Sequence, residues 1–178
     1  GFYHDGGKAR MLPIVPPEPR ADLPAAQVIL NTGRIRDHWH TMTRTGRAPR
    51  LGSHLAEPYL EIHPEDADAA GLSPADLAEV TSPHGRAVLR VMVSDKARQG
   101  SAFAPMHWTG VTSALGRVNT LVAPITDPFS GQPASKATAV GLKRYVAGWY
   151  GFAAGVAQMH PTRPYAAIAR TKTGWRAE

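Results

Sequence analysis

Glycine and proline interrupt this chain so often that a bundle of long helices is excluded. The 178 residues include 17 Gly and 16 Pro, which together approach a fifth of the sequence and exceed the usual share of these residues. Apolar residues account for 43% and charged residues for 19%, so the chain can form a packed core and is not disordered throughout. A chain of this length is typically one domain, with or without tails. The sequence therefore predicts one domain built of short strands and turns.

Six short segments have the composition of strands, being apolar or alternating and bounded by turn residues. They lie at 26–30, 57–62, 77–81, 86–93, 101–106 and 138–142. A short helix follows the second strand, because Pro64 suits a first helical position and Gly71 suits a left-handed C-terminal cap. The polar segment 36–50 has no clear period and predicts an ordered loop, alone or with a short helix. We therefore expect a mainly β, barrel-like domain with a few short helices.

The chain divides by composition into three parts. Residues 1–25 are a proline-rich lead-in, which we interpret as coming from a preceding domain; its five prolines between Leu12 and Pro24 exclude a helix or a central strand. Residues 26–145 hold the predicted barrel. Residues 146–178 carry scattered aromatic side chains without a period and predict a tail that wraps over a surface. Because Gly1 is not an initiator Met, we take the chain to be a fragment or a processed product.

Targeting signals and thiol chemistry are both missing from the sequence. No basic-then-apolar signal pattern occurs at the N-terminus, and no apolar run reaches the ~18 residues that a membrane span needs. We therefore expect a cytoplasmic protein without a membrane partner. The chain contains no Cys, which excludes disulfides, a thiolate zinc site, an iron–sulfur cluster held by this chain and a cysteine nucleophile.

The chain is basic, with a formal net charge of +6 and a pI of about 10.0. Its cations are 15 Arg and only 5 Lys. Arginine forms planar, bidentate contacts with phosphate and carboxylate groups that lysine cannot form. The composition therefore favours an anionic partner.

The densest group of chemically useful side chains is the ten-residue segment 32–41, which follows the first predicted strand. Gly33 allows a tight turn and a close approach of the backbone to a ligand. Arg34 and Arg36 can each bind phosphate through both arms of the guanidinium, and Trp39 offers a ring for stacking. This mixture suits a large phosphorylated heteroaromatic ligand. A polar surface loop, with Trp39 filling a gap in the core, is equally consistent with the composition.

Two histidines of this segment, His38 and His40, are two residues apart and could share one face of a strand as metal ligands do. A third ligand is not evident and cysteine is absent. Hydrogen-bonding histidines are therefore the favoured interpretation, and no metal site is predicted. We interpret Asp37 as a loop acceptor or an arginine partner.

Two further polar patches follow later strands. His107 and Trp108 come after the fifth strand, where binding residues often lie, although a core Trp beside a hydrogen-bonded His is the simpler interpretation. Asn119 and the segment 127–136, which ends at Lys136, form the other patch, and a solvated turn explains it more simply. No phosphate-loop, dinucleotide-fold or nucleophile-elbow motif occurs, and no carboxylate pair suggests acid–base catalysis. The residues alone predict an anion-binding β domain without catalytic residues.

The sequence TGRIRDHWHT at 32–41, preceded by LN and followed by MTRTG, resembles a known family. It is similar to the start of the C-terminal domain of molybdenum oxidoreductases of the dimethyl-sulfoxide reductase family. The resemblance continues through PMHWTG at 105–110, RVN at 117–119 and the segment 126–136, and it includes the tail that ends in GWR at 174–176. The assimilatory nitrate reductase branch is the most similar, with formate dehydrogenase close by.

The resemblance implies a six-stranded double-psi β-barrel of the aspartate-decarboxylase-like kind, holding part of a molybdenum-bis(molybdopterin guanine dinucleotide) cofactor. The residues it assigns to cofactor binding are Thr32, Gly33, Arg34, Ile35, Arg36, Asp37, His38, Trp39, His40, Thr41, Asn119 and Lys136. It also implies that His107 and Trp108 lie toward a substrate funnel. The iron–sulfur cluster and the protein ligand to molybdenum would belong to preceding domains.

By the same resemblance, the whole enzyme would reduce nitrate to nitrite by oxygen-atom transfer at molybdenum. This chain would anchor the cofactor and would be inactive alone, with no catalytic residue of its own. Its partners would be the preceding domains, an electron donor and a small anionic substrate, without nucleic acid. The alternatives are the same domain of a formate dehydrogenase and a basic nucleic-acid-binding β-barrel. The arginine excess favours the second, whereas the scattered basic residues and the 7% aromatic content oppose it.

Overall fold

The computed structural model describes residues 1–13, 27–160 and 162–178, so residues 14–25 of the predicted proline-rich lead-in lie outside the described residues. Six strands form a closed barrel, in the order β1-β5-β2-β4-β3-β6. They are β1 (Gln27–Gly33), β2 (Tyr59–Ile62), β3 (Leu77–Ser82), β4 (Gly85–Val93), β5 (Ser101–Pro105) and β6 (Thr138–Arg144). All six predicted strands are therefore present, and β1 continues three residues beyond its predicted end.

The strand pairing repeats between the two halves of the barrel. The pairs β1–β5 and β2–β4 are parallel, and the other four neighbouring pairs are antiparallel. Exchanging β1 with β4, β2 with β5 and β3 with β6 leaves this pattern unchanged. Two such interlocked halves make a double-psi β-barrel, so the predicted fold is confirmed.

Alternating apolar side chains fill the barrel. On β1 the buried positions are Val28, Leu30 and Thr32, which alternate with partly exposed ones as a strand with one buried face requires. Leu60 and Ile62 of β2 are fully buried in the same core. The core runs continuously from β1 around to β6.

Short helices connect the strands, as predicted. The first, α1 (Pro49–Gly52), follows a 3-10 turn at Thr45–Arg47 within the segment expected to be a loop with a short helix. The second, α2 (Pro64–Ala69), begins with Pro64 at its first turn and is capped by the His63 ring, which accepts a hydrogen bond from the Glu65 N–H at 3.2 Å. Gly71 has a φ of +64° and ends the helix as a left-handed cap. No helix among the described residues combines the length and apolarity needed to cross a bilayer.

The C-terminal segment contains three strands that the sequence did not predict: β7 (Ala153–Gly155), β8 (Ile168–Arg170) and β9 (Trp175–Ala177). They form an antiparallel sheet in the order β7-β9-β8. Each is only three residues long, which is too short to produce a visible alternation. The sheet is attached to the rest of the chain where the Ile168 N–H donates to the Thr112 carbonyl at 2.9 Å.

A polar cluster also joins the C-terminal segment to the barrel. Arg90 of β4 pairs with Glu57 at 3.1 Å and with Glu178 at 2.9 Å. The Tyr165 hydroxyl donates a hydrogen bond to the Glu57 carboxylate. Burial, and the negative charge of Glu57, raise the pKa of Tyr165 well above its ordinary value, so its hydroxyl keeps the proton that it donates.

Strand direction brings every predicted site residue to one end of the barrel. Strands β1, β3 and β5 end where β2, β4 and β6 begin. The segments after β1 and β5 and the segment before β6 therefore meet at this end, which we call the loop end. A 3-10 helix, Val118–Leu121, lies against the β3–β4 turn at the same end, where the Ser82 hydroxyl donates to the Leu121 carbonyl at 2.7 Å.

Candidate functional site

The end of β1 is tied to the segment that precedes β6. The hydroxyl of Thr32, which is buried, donates to the Ser135 carbonyl at 2.7 Å. The Lys136 ammonium donates to the Thr32 carbonyl. Two residues that lie more than a hundred positions apart in the sequence are thus neighbours at the loop end, and the contact of Lys136 with a cofactor stays a prediction.

Gly33 is required by packing rather than by an unusual backbone conformation. A β-carbon at this position would lie 2.6 Å from Cε2 of Phe103 on the neighbouring strand β5. Real β-carbons do not approach other carbon atoms this closely, so a larger residue would displace the phenyl ring. The sequence suggested a tight turn at Gly33, and the structure adds a steric reason for glycine.

The segment 34–41, which we call the binding loop, folds over a buried histidine. The Ile35 N–H donates to Nε2 of His107 at 3.0 Å, and Nδ1 of His107 donates to the His40 carbonyl at 2.6 Å. His107 has no exposed surface, and burial lowers its pKa, so the ring is neutral with its proton on Nδ1. Trp108 is buried as well. Both side chains lie beneath the loop, and their location beside a substrate funnel stays a prediction.

His38 and His40 have different surroundings, so they do not form a pair of ligands on one face. His38 is buried, with Nδ1 3.3 Å from the Thr45 hydroxyl and Nε2 3.4 Å from the Leu55 carbonyl, and burial lowers its pKa. The His40 side chain is exposed, and its ring packs edge-on against Trp39 with 4.6 Å between centroids. Across residues 1–13, 27–160 and 162–178, no three His, Asp or Glu side chains are arranged to hold a metal ion.

The backbone of the binding loop reverses at its C-terminal end. His40 has a φ of +43° and Met42 a φ of +61°, which are uncommon values for residues other than glycine. Met42 is buried, and the Thr45 hydroxyl accepts a hydrogen bond from the Trp39 N–H at 3.2 Å. These contacts hold Trp39 outward, with 57% of its surface exposed.

The two arginines of the binding loop differ in their partners. Arg36 holds Asp37 through two hydrogen bonds of 3.0 and 3.2 Å, and His54 approaches the same carboxylate at 2.9 Å. The hydrogen bonds from Arg36 and His54 lower the pKa of Asp37, which agrees with its interpretation as an arginine partner. Arg34 has no carboxylate partner among the described residues, and its guanidinium lies 5.9 Å from the Trp39 ring centroid. Arg34 is exposed to solvent, from which an external anion would approach it.

A cavity of about 640 Å³ opens next to the binding loop, at Thr41. Its lining includes four threonines, Arg47, Arg170 and Trp175, together with the apolar Met42 and Val111. Arg170 lies 5.3 Å from the Trp175 ring centroid. The volume of this cavity is within the usual range for ligand sites. The sequence did not single out Arg47, although it lies only six residues after the binding loop. It could not point to Arg170, because only the folded chain brings β8 and β9 beside the loop.

Asn119 lies at the same end of the barrel but is separate from the binding loop. Its side chain is exposed and makes no hydrogen bond with any described residue. The neighbouring segment 127–136 is an exposed turn, in which the Asp127 carboxylate accepts hydrogen bonds from the Phe129 and Ser130 N–H groups. The simpler interpretation of this segment as a solvated turn fits the structure, except that Lys136 reaches β1.

The donor set of this site suits an elongated ligand that carries both phosphates and a fused ring. Arg34, Arg47 and Arg170 supply charge for phosphates, and Trp39 and Trp175 supply ring faces. Threonine hydroxyls and exposed backbone at the loop supply hydrogen bonds. A pterin linked to a nucleotide through a pyrophosphate has the chemical groups that this set would bind.

Comparison with known proteins agrees with this chemistry. The family model for the "Molydopterin dinucleotide binding domain" matches residues 28–139, which is more than half of the chain. The chain is 49% identical over 150 residues to a nitrate reductase of Klebsiella oxytoca, covering 84% of this chain and 17% of that protein. It is 31% identical over 147 residues to the assimilatory nitrate reductase catalytic subunit of Bacillus subtilis (strain 168), covering 79% of this chain and 20% of that subunit.

The chain thus spans about a fifth of the length of the curated relatives that it matches. Among solved structures, acetylene hydratase from Pelobacter acetylenicus superposes with a TM-score of 0.55 and 18% identity, over 67% of this chain and 18% of that one, which shows a shared fold. The family match includes β1, the binding loop and the buried His107. The chain belongs to the molybdopterin dinucleotide-binding domain family.

Proposed function

We propose that this chain is the cofactor-anchoring domain of a molybdenum-dependent nitrate reductase. The observation that carries the proposal is the 49% identity, over 84% of the chain, with a nitrate reductase. The family match, which covers the binding loop, supports a cofactor role for the loop end of the barrel. The form of the cofactor that we propose is molybdenum-bis(molybdopterin guanine dinucleotide), shared with preceding domains of the same enzyme.

In this proposal the exposed side chains of the binding loop contact the cofactor, and the buried ones hold the loop in shape. Arg34 binds a phosphate, Trp39 stacks on a ring, and Thr41 hydrogen-bonds beside the cavity. Thr32, Gly33, Ile35, Asp37 and His38 act through the backbone path and internal contacts described above. Arg36 is exposed and paired with Asp37, and it meets the cofactor from the outer face of the loop. Asn119 and Lys136 add contacts from the other segments at the loop end.

The chemistry belongs to the cofactor, which when bound supplies oxygen-atom transfer from nitrate. The residues of this chain would bind and orient the cofactor, and its arginines would neutralise the phosphate charge. Because the pterin carries the metal, holding the pterin in place would also hold the metal in place. Charge-assisted hydrogen bonds strengthen once the surrounding domains exclude water. On this basis the isolated chain forms no nitrite.

The remaining parts of the proposal concern the whole enzyme. The iron–sulfur cluster and the protein ligand to molybdenum lie in the preceding domains, and a separate donor supplies electrons. The substrate is nitrate, a small anion, and the location is the cytoplasm, in line with the resemblance to the assimilatory branch. The second candidate is the same domain of a formate dehydrogenase. It is supported only by the resemblance of the binding-loop sequence to that branch of the family.

The test uses the full-length enzyme with Arg34→Ala, compared with Arg98→Ala. Arg98 is an exposed arginine on the connection between β4 and β5, at the opposite end of the barrel. Loss of a charge-assisted hydrogen bond of roughly 1.5–3 kcal/mol predicts roughly a 10- to 100-fold weaker hold on the cofactor in Arg34→Ala. The readouts are molybdenum content, released guanine nucleotide and nitrite formation.

Full occupancy and normal nitrite formation in Arg34→Ala would remove that residue from the proposal. An enzyme that oxidises formate and leaves nitrate unreduced would favour the formate dehydrogenase alternative. Nitrite formed by the isolated chain above background would contradict the anchoring role.

A further inference from the structure

We propose that His107 is a positioning residue, whose neutral imidazole joins the two ends of the binding loop and so sets the shape that meets the cofactor. This inference rests on the proposed function of the loop. It is a different role from the one that the resemblance implies for His107, and it is argued from the complete burial of the ring beneath the loop.

Two hydrogen bonds with opposite directions carry the inference. Nε2 accepts from the Ile35 N–H at 3.0 Å, and Nδ1 donates to the His40 carbonyl at 2.6 Å. Only a neutral imidazole with its proton on Nδ1 can accept at one nitrogen and donate at the other. The ring therefore bridges both ends of the six-residue stretch 35–40 and satisfies one backbone donor and one backbone acceptor.

The surroundings of His107 favour this neutral form. The ring has no exposed surface, and the charged or titratable groups that face it among the described residues are Arg34, His38 and His40. Positive charge on Arg34 or on His40 opposes a second positive charge on the ring. Protonation of His107 would also place a hydrogen on Nε2, which could then no longer accept a hydrogen bond. The Ile35 N–H would lose its partner.

The residues that the bridge fixes stand next to the exposed groups of the site. Arg34 immediately precedes Ile35, and Trp39 immediately precedes His40. Their side chains meet on the outer face of the loop, with the Arg34 guanidinium 5.9 Å from the Trp39 ring centroid. Releasing either end of the loop from His107 would therefore move the Arg34 guanidinium away from the Trp39 ring.

The experiment uses three substitutions in the full-length enzyme. His107→Gln places an acceptor near the position of Nε2, His107→Asn places a donor near the position of Nδ1, and His107→Leu removes both with a similar volume. His84→Gln, at an exposed position in the β3–β4 turn, is the matched control. The readouts are molybdenum and guanine nucleotide content, visible circular dichroism of the bound cofactor, kcat and KM for nitrate, and the melting temperature of the apoenzyme.

The expected result is a graded one. His107→Leu lowers cofactor content roughly 10-fold, because the Ile35 N–H loses its acceptor and the loop changes shape. His107→Gln and His107→Asn give intermediate losses. The cofactor that these two variants retain has an altered circular dichroism. In the retained fraction kcat falls while KM for nitrate stays near the wild-type value. The apoenzyme melting temperatures of Gln and Asn stay close to that of the wild type, which a merely structural role would not produce.

Wild-type cofactor content, circular dichroism and kcat in His107→Leu would overturn the inference. So would equal cofactor loss in all three variants that follows a common fall in apoenzyme melting temperature. Arg34→Ala separates the two proposals. If Arg34→Ala loses cofactor and His107→Leu does not, only the positioning role fails; if both retain it, the contact between loop and cofactor fails.

Discussion

The barrel and the binding loop are held together by different forces. The barrel closes around apolar side chains such as Leu60 and Ile62, which are fully buried and surrounded by other apolar groups. The loop has no apolar cluster of this kind; its shape depends on two buried histidines and the Thr45 hydroxyl, each used through a directional hydrogen bond. Apolar burial tolerates small shifts, whereas a hydrogen bond depends on the position and protonation of single atoms. The stable scaffold and the precise site are thus specified separately.

Truncation of the barrel core should have the largest effect. Leu60→Ala leaves a cavity at a fully buried position and should lower the free energy of unfolding of this chain by about 2–5 kcal/mol. Urea unfolding followed by far-ultraviolet circular dichroism measures the loss. Leu12→Ala, at an exposed position, serves as the control and should unfold like the unmodified chain. Equal free energies of unfolding for the two variants would mean that the barrel core is not the main source of the stability of the chain.

A substitution at the border between barrel and loop should have a smaller effect. Gly33→Ala introduces the close contact with Phe103 and should destabilise the chain by about 1 kcal/mol, the low end for overpacking, because the phenyl ring can rotate. Combining it with Phe103→Leu should recover part of the loss. A double variant that is as unstable as the sum of the two single variants would show that the two residues do not interact.

Mild acid should lower the free energy of unfolding of the chain through the two buried histidines at the binding loop, His38 and His107. Burial holds the pKa values of His38 and His107 below the ordinary value of 6.5, so the unfolded chain binds protons more readily than the folded chain. The stability that they contribute is complete above about pH 6.5 and is lost as the pH falls below that value. The measurement is the free energy of unfolding at pH 7.5 and 5.5, with His38→Gln and His107→Gln as comparisons. Each variant should show a smaller pH dependence, and an unchanged slope would contradict the assignment.

The exposed ion pair on the loop should have the smallest effect. Arg36 is 80% exposed, and solvent screens its contact with Asp37. Arg36→Ala should therefore leave the urea midpoint unchanged within error, although Asp37 keeps only His54 as a partner. A clear drop in the midpoint would show that this exposed ion pair contributes to global stability in spite of its solvent screening.

The sequence could predict the barrel strands because their information is local. Alternation and turn residues mark each of the six, and Pro64 and Gly71 mark the helix between β2 and β3. The strands β7, β8 and β9 were missed because three residues cannot show a period. Their position beside the barrel depends on long-range contacts such as that between Ile168 and Thr112.

The internal contacts of the candidate site were predictable only where they are local in the sequence. The binding loop stands out by composition and resemblance, and the Arg36–Asp37 pair follows from adjacency. The role of His107 could not be inferred, because its partners Ile35 and His40 lie about seventy residues earlier in the chain. Arg170 likewise joins the cavity only after β8 folds against the rest of the molecule.

The repeated strand pairing of the barrel offers two equivalent places for a binding loop. The exchange that relates the two halves matches the connection after β1 with the connection after β4, at the opposite end of the barrel. The first spans residues 34–58 and carries Arg34, His38 and Trp39, whereas the second spans only 94–100. The two ends of the barrel therefore have equivalent strand pairing, and the long connections 34–58 and 106–137 at the loop end make them different. Lengthening the 94–100 connection would be a natural way to place a second recognition surface on this scaffold without changing any strand pair.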